Sequence, residues 1–220
     1  MEAIIQIENV NLALIVGRIL GTKKGNIKLS FERGKFYHIL GDEESSHAIL
    51  QIIGLNSLYP SETYILDNKE IDNFKEDFII EQKYRYIGYT YPHNILDDRL
   101  DIKENLLMAL WCNKNLTKEE KNKRIKAYLT KYNIPSKPIA KLSLLEKQIV
   151  SLIRALINEA EVIIADYPSK YLNEKDTRAL LKVYKALTKD GKCVIMSSKE
   201  DLKEYRDVLI EVENGVVKCL

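Results

Sequence analysis

Lys35-Phe36-Tyr37-His38-Ile39-Leu40-Gly41-Asp42-Glu43-Glu44-Ser45-Ser46-His47-Ala48-Ile49-Leu50-Gln51-Ile52-Ile53-Gly54 decides how the chain is read. An apolar strand leads through a short polar turn into an apolar helix. This is the layout of a phosphate-binding loop without its chemistry. The pattern G-x-x-x-x-G-K-[ST] uses glycines so that backbone N–H groups crowd a phosphate, a lysine for the outer phosphates and a hydroxyl for Mg²⁺. Gly41 stands at the first glycine, His47 at the lysine and Ala48 at the hydroxyl, followed by Ile49. Asp42, Glu43 and Glu44 put carboxylates where a phosphate would come. On its own the stretch is weak support for a nucleotide site, and an ordinary strand–turn–helix accounts for it better.

The bulk of the sequence narrows the class. Its 220 residues suffice for one large domain with a substantial core. With 34 basic and 32 acidic residues the formal net charge is +2, so no overall field draws the chain to nucleic acid. Cys112, Cys193 and Cys219 are far apart and form no C-x-x-C, which argues against zinc and disulfides and fits a reducing cytosol. The N-terminal residues show no signal-peptide pattern, and the early apolar run at residues 12–16 is too short to span a bilayer. The expected location is cytoplasmic, with any membrane association peripheral, on the inner face and through a partner.

Along the chain, strands alternate with helices. Alternating apolar and polar residues predict strands over 1–10 and 26–31, and a hairpin over 63–71 turning at Asp67-Asn68. The helix after the opening turn is expected from about Ser46 to Asn56. Helical spacing follows at 74–83, 101–111 and 118–132, and residues 86–91 read as a strand. Residues 142–157 make a strong amphipathic helix, opened by Ser143 with Glu146 three residues on, a capping box. Val162-Ile163-Ile164-Ala165-Asp166 is a wholly apolar run ending in an acid, as suits a strand buried on both faces of a parallel sheet. Asn173 caps a helix over 174–188, residues 193–196 form another buried strand, 201–205 a short helix, and 208–219 a hairpin turning at Asn214-Gly215. Trp111 is expected in the core, or against a membrane subunit, and His38 packed or at the surface rather than a ligand. Residues 11–22 have no assignment. The class is α/β, a single domain over 1–220 with a helical subdomain inserted at about 92–160.

The order of these pieces resembles the ATP-binding subunit of ABC transporters, in the group serving lipoprotein release and antimicrobial-peptide export or resistance. The opening stretch stands in the place of Walker A. Ile87-Gly88-Tyr89-Thr90-Tyr91-Pro92 resembles the segment ending in the Q-loop glutamine, and Leu100-Asp101-Ile102-Lys103-Glu104-Asn105-Leu106 the family's L-T-V-x-E-N-V. Leu142-Ser143-Leu144-Leu145-Glu146 with Lys147-Gln148 and Arg154-Ala155-Leu156 resembles the L-S-G-G-Q signature and its R-A-L helix. Val162 to Asp166 with Tyr167-Pro168-Ser169 resembles Walker B and E-P-T, and residues 193–199 the last strand and switch histidine. The implied fold is a P-loop-type mixed sheet around the Walker A helix, with an N-terminal antiparallel β part and a helical subdomain.

The same resemblance exposes substitutions at each chemical position. Glu44 and Ser46 replace glycines, where close backbone approach needs none but glycine. His47 is shorter than lysine and lacks its permanent charge. Each carboxylate about 5 Å from a phosphate charge opposes it by about 3 kcal/mol at an effective dielectric of about 20. Pro92 stands for the Q-loop glutamine, Tyr167 for the catalytic glutamate, Asn173 for the D-loop aspartate and Ser198 for the switch histidine. A phenol titrating near 10 is no general base at neutral pH. Ser143 keeps the signature serine, but Leu144 and Leu145 replace its glycines and read as a protein-contact patch. Asp166 either closes its strand or holds Mg²⁺ through water.

Two readings of the opening acids stand side by side. Asp42, Glu43 and Glu44, with Ser45 and Ser46, satisfy the helix N-terminus in place of ATP, or they are exposed turn residues. The expected function is a degenerate, non-hydrolysing cassette subunit of an exporter or peptide-resistance transporter, acting through an intact partner ATPase, a membrane permease, or both. No catalytic residue and no cofactor is expected; ATP and Mg²⁺ are the ligands if binding is retained. The alternatives are a working ABC ATPase and a free-standing regulator or scaffold. A homodimer offers no intact half-site, which favours a heterodimer if the chain works in a transporter.

Overall fold

The computed structural model describes residues 2–10, 27–56, 63–71, 76–93, 95–213 and 216–219. The unassigned stretch 11–22 and the Asn214-Gly215 turn lie outside them. Two sheets form the frame. The first is antiparallel, with β1 (Ala3–Val10) between β2 (Ile27–Glu32) and β4 (Thr63–Leu66), and β5 (Lys69–Glu70) at its edge. Asp67 and Asn68, both with positive φ (50° and 60°), turn β4 into β5 as an Asp-Asn pair readily does.

The second sheet runs β10-β9-β3-β8-β7-β6, with β3 (Phe36–Gly41), β6 (Ile87–Thr90), β7 (Val162–Ala165), β8 (Cys193–Ser198), β9 (Val208–Glu213) and β10 (Val216–Cys219). It is parallel throughout except for the β9–β10 hairpin. Every residue of β7 and β8 is buried, as the apolar run at 162–165 predicts for a central parallel strand.

Strand period sorts the side chains onto two faces. Val162, Ile164, Cys193 and Ile195 join α1 (Glu43–Ile53) and both sheets in one cluster, to which the helix gives Ile49, Leu50, Ile52 and Ile53. Ile163, Ala165, Val194 and Met196 pack on the other face against α5 (Leu144–Leu156) and α6 (Glu174–Lys189). A third cluster joins α3 (Ile102–Ala109), α4 (Lys118–Lys131) and the opposite side of α5, around Leu106, Leu110, Ile125 and Ile153. The Ser143–Glu146 capping box opens α5 as expected, Asp101–Glu104 and Thr117–Glu120 do the same for α3 and α4, and Asn173 caps α6. Gly88 lets α5 lie directly on β6: a Cβ there would stand 2.3 Å from the Ala155 carbonyl oxygen.

Four expectations need correction. The opening helix begins at Glu43, three residues before Ser46, for a reason taken up below. The helix expected at 74–83 is described from Glu76 as α2 (Glu76–Tyr86) and runs three residues further, up to β6; residues 74 and 75 lie outside the described residues. Residues 201–205 make a turn, with Tyr205 and Arg206 N–H both on Leu202 O, because Asp207 is already tied to Phe36 through its N–H (2.8 Å) and its carboxylate (2.7 Å). Trp111 is 82% exposed: α3 buries Ile102, Asn105 and Leu106 with Leu110, and position 111 falls on the opposite side of that stripe.

Candidate functional site

Gly41 ends β3, where it pairs with Val212 of β9. A Cβ at this position would stand 1.8 Å from the Val212 carbonyl oxygen, so the sheet itself requires glycine here. Asp42 follows in extended conformation and caps α1: its Oδ1 accepts from Ser45 N–H at 2.8 Å and its carbonyl from Ser46 N–H at 3.0 Å. The residues that would form a phosphate loop are thus the cap and first turn of the helix. Glu43 lies in that turn, where the helix dipole favours it. It is paired with Lys170 and, at 3.4 Å, with Lys199. Lys170 chiefly holds the Glu43 carboxyl below the ordinary glutamate range. Glu44 is exposed, while Ser45 and Ser46 are buried with Ala48 and Ile49. Of the three acids, Asp42 alone caps the helix, Glu43 is held by the two lysines, and Glu44 is exposed.

One turn into α1, His47 reaches across to the end of β7. Its Nδ1 lies 2.5 Å from Oδ2 of Asp166, whose side chain is only 2% exposed. The other carboxylate oxygen accepts from Ser197 Oγ at 3.2 Å. Ser197 also accepts the Tyr167 N–H at 2.9 Å, which bends the chain just after β7 into a left-handed residue, Tyr167 at φ 41°. The Tyr167 phenol donates to Gly41 O at 3.1 Å, tying the end of β7 to the end of β3. Burial, chiefly, raises this phenol above its ordinary value, so it stays protonated and donating at neutral pH.

Around this centre Gln51 Nε2 donates to Tyr89 OH at 3.1 Å, and the Tyr89 and Tyr91 rings meet at 4.5 Å. Pro92 contributes its carbonyl oxygen, which accepts from Gln148 Nε2 at 2.8 Å. Ser143 is committed to its helix cap, and Glu146 to that cap and to Lys137 at 2.9 Å. Leu142 is buried. The paired leucines divide: Leu144 is 51% exposed, whereas Leu145 packs against the α5–α6 cluster.

The structure brings Gly41, Asp42, Glu43, His47, Asp166 and Tyr167 together, and leaves Leu142, Ser143, Leu144, Leu145 and Glu146 at the start of α5. Ser198 does not join the centre; its Oγ accepts from Glu200 N–H at 3.0 Å. Ser197 takes part instead. A signal for this was available, since Ser197 shares its strand face with Cys193 and Ile195, the face toward α1. Lys170 and Lys199, the partners of Glu43, carried no sequence signal. Among the described residues no group of three or more His, Cys, Asp or Glu could hold a metal ion, and no helix is long and apolar enough to cross a membrane.

A parallel sheet with a helix springing from the end of its β3, an antiparallel sheet beside it and a capped helix at a Ser-Leu-Leu sequence define a nucleotide-binding-cassette architecture. The chain belongs to the ABC transporter family, whose model matches residues 25–170. It is 27% identical to the lipoprotein-releasing system ATP-binding protein LolD of Aquifex aeolicus, over 99% of this chain and 97% of that one. It is 30% identical to the macrolide export ATP-binding/permease protein MacB of Campylobacter jejuni over 87% of this chain, and spans about a third (31%) of that longer protein. The dimeric cassette structure of MJ0796 superimposes with a TM-score of 0.78 over 98% of both chains, at 24% identity, a likeness of fold.

Proposed function

We propose that this chain is a non-hydrolysing cassette subunit of an exporter-type ABC system, working through contacts with an intact partner ATPase and a membrane permease. The observation that carries the reading is the Asp42-capped first turn of α1, which stands where the resemblance puts Walker A. The donor set does not fit Mg²⁺-ATP. The helix N-terminus is already served by Asp42, and Glu43 and Glu44 add negative charge beside it. Both Asp166 carboxylate oxygens are engaged, by His47 and Ser197. Tyr167, at the catalytic-glutamate position of the resemblance, donates a hydrogen bond to Gly41 O and offers no base.

Contact is then the remaining route to function. The exposed Leu144 stands at the start of α5, whose other end is packed on β6 through Gly88. The third cluster, around α3, α4 and α5, supports a helical subdomain at about 92–160 as the part that meets partners. In a heterodimer, the partner's phosphate loop would face Ser143-Leu144-Leu145 of this chain.

Mg-ATP titration of the purified chain tests this directly. No saturable binding is expected up to millimolar nucleotide. Micromolar binding with turnover overturns the proposal and favours a working ATPase. Absence of binding, together with failure to co-purify with any permease, would point to the free-standing regulator instead.

A further inference from the structure

The outward side of α6 is a ridge of cations. The helix turns Leu180, Leu181, Tyr184, Leu187 and Thr188 into the core. Its other side carries Lys175, Arg178, Lys182, Lys185 and Lys189, spaced alternately by three and four residues, which places them in one stripe. Lys185 is half-buried and the other four are exposed. From first to last the stripe is about 21 Å long. The acids of the helix, Glu174 and Asp176, lie in its first turn, and none follows them.

The acids around the ridge do not neutralise it. Glu174 is paired with Arg178, Asp207 with Lys185 at 2.8 Å, and Asp190, at the end of the helix, with Lys131 at 3.1 Å. Asp176 accepts from Asn173 Nδ2 at 2.9 Å. Lys175, Lys182 and Lys189 have no ion pair among the described residues. The whole chain carries a formal charge of only +2, so the ridge is a local concentration of charge.

What the ridge lacks narrows its partner. Between the cations it presents only Ala179 and Ala186. None of the large apolar side chains exposed among the described residues belongs to α6. A protein interface is anchored by aromatic, aliphatic or arginine groups buried at its centre, and here the one arginine is already paired. No ring stands on the ridge for a base to stack on. A straight run of flexible, point-like ammonium groups instead suits a smooth, dense anionic surface, and about four to eight Lys or Arg on an amphipathic helix is the pattern of anionic-lipid binding.

We propose that the outward face of α6 rests on an anionic lipid surface, a direct membrane contact beyond the permease contact proposed above. Lys175, Lys182 and Lys189 supply most of the attraction, because their charge is not spent within the protein.

The test is co-sedimentation of the full-length chain, without nucleotide or partner, with vesicles of phosphatidylcholine alone or mixed equally with phosphatidylglycerol. Binding to the mixed vesicles is expected to be at least about a hundredfold tighter, and to be lost between about 50 and about 500 mM NaCl. Lys182→Gln alone is expected to weaken it about fivefold, and the Lys175→Gln/Lys182→Gln/Lys189→Gln variant at least about thirtyfold. Circular dichroism checks the fold of each; if the triple variant fails to fold, the single one carries the comparison. Lys103→Gln/Lys114→Gln/Lys123→Gln removes as much charge from exposed positions elsewhere and is expected to weaken binding less than about threefold. Equal losses for the two triple variants, or equal binding to neutral and anionic vesicles, overturn the proposal. So does tighter binding to polyglutamate or polyuridylate at equal anion concentration, which would give the face to an acidic protein segment or to RNA.

Discussion

The Nδ1 atom of His47 and the Oδ2 atom of Asp166 stand 2.5 Å apart, joining the second turn of the opening helix to the end of a central strand. The two residues are 119 positions apart in sequence. Asp166 has almost no access to water, so most of its hydrogen bonding comes from His47, Ser197 and the backbone. Replacing His47 with Ala withdraws one of those partners from a buried carboxylate. The expected loss is about 1–3 kcal/mol in urea unfolding. The His47→Ala/Asp166→Ala double variant is expected to lose less than the two single changes summed. Strict additivity would mean that the pair is not coupled.

Rebuilding the phosphate loop is expected to weaken the fold. The combination Glu44→Gly, Ser46→Gly, His47→Lys and Ala48→Ser places two glycines in the first turns of α1. At about 0.5 kcal/mol each relative to Glu and Ser, helix propensity alone predicts a loss of about 1 kcal/mol. Thermal unfolding with and without Mg-ATP checks this. An unchanged melting temperature without nucleotide would count against the helical first turn.

Asp42 is expected to act through its side-chain acceptor rather than its charge alone. Asp42→Ala should destabilise the protein by about 1 kcal/mol, while Asp42→Asn, also a good cap, should change it by a few tenths. Equal losses for the two would assign the role to charge, through the helix dipole and the nearby lysines.

Gly41 looks in the sequence like a relic of phosphate binding, but its neighbour is the backbone of Val212. Gly41→Ala is therefore expected to destabilise the apo protein by about 3 kcal/mol or more, as an unrelieved clash with backbone does. Hydrogen exchange should place the damage in β3 and β9. A stable Gly41→Ala protein would return the glycine to the ligand.

His38 sits in β3 with no exposed surface, and burial, chiefly, holds its imidazole down at about 4 from an ordinary 6.5. The unfolded chain takes up this proton below about 6.5 and the folded chain only below about 4. This contribution to stability is complete above about 6.5 and falls as pH drops toward 4. Between pH about 7.5 and 5.5, the parent chain is expected to lose about 1 kcal/mol more than His38→Leu. Parallel pH profiles for the two would remove His38 from the acid response.

Much of the frame was legible because it rests on local rules. The unbroken apolar run of β7 announced a strand buried on both faces, and Ser143–Glu146 and Asn173 announced the starts of α5 and α6. The opening helix starts three residues before Ser46 because Asp42, at a loop position of the resemblance, has the chemistry of a cap. Pairings across the fold, such as His47 with Asp166 or Glu43 with Lys170, depend on tertiary contact and leave no trace in spacing. Ser198 takes the switch-histidine place in the resemblance, but strand alternation turns Ser197, not Ser198, toward α1 and Asp166.

The absence of a side chain at Gly88 has a mechanical meaning. With the Ala155 carbonyl resting where a Cβ would be, α5 and β6 have no slack between them. Position 88 therefore sets the spacing of helix and strand: any larger residue there would have to lift α5 from the edge of the parallel sheet.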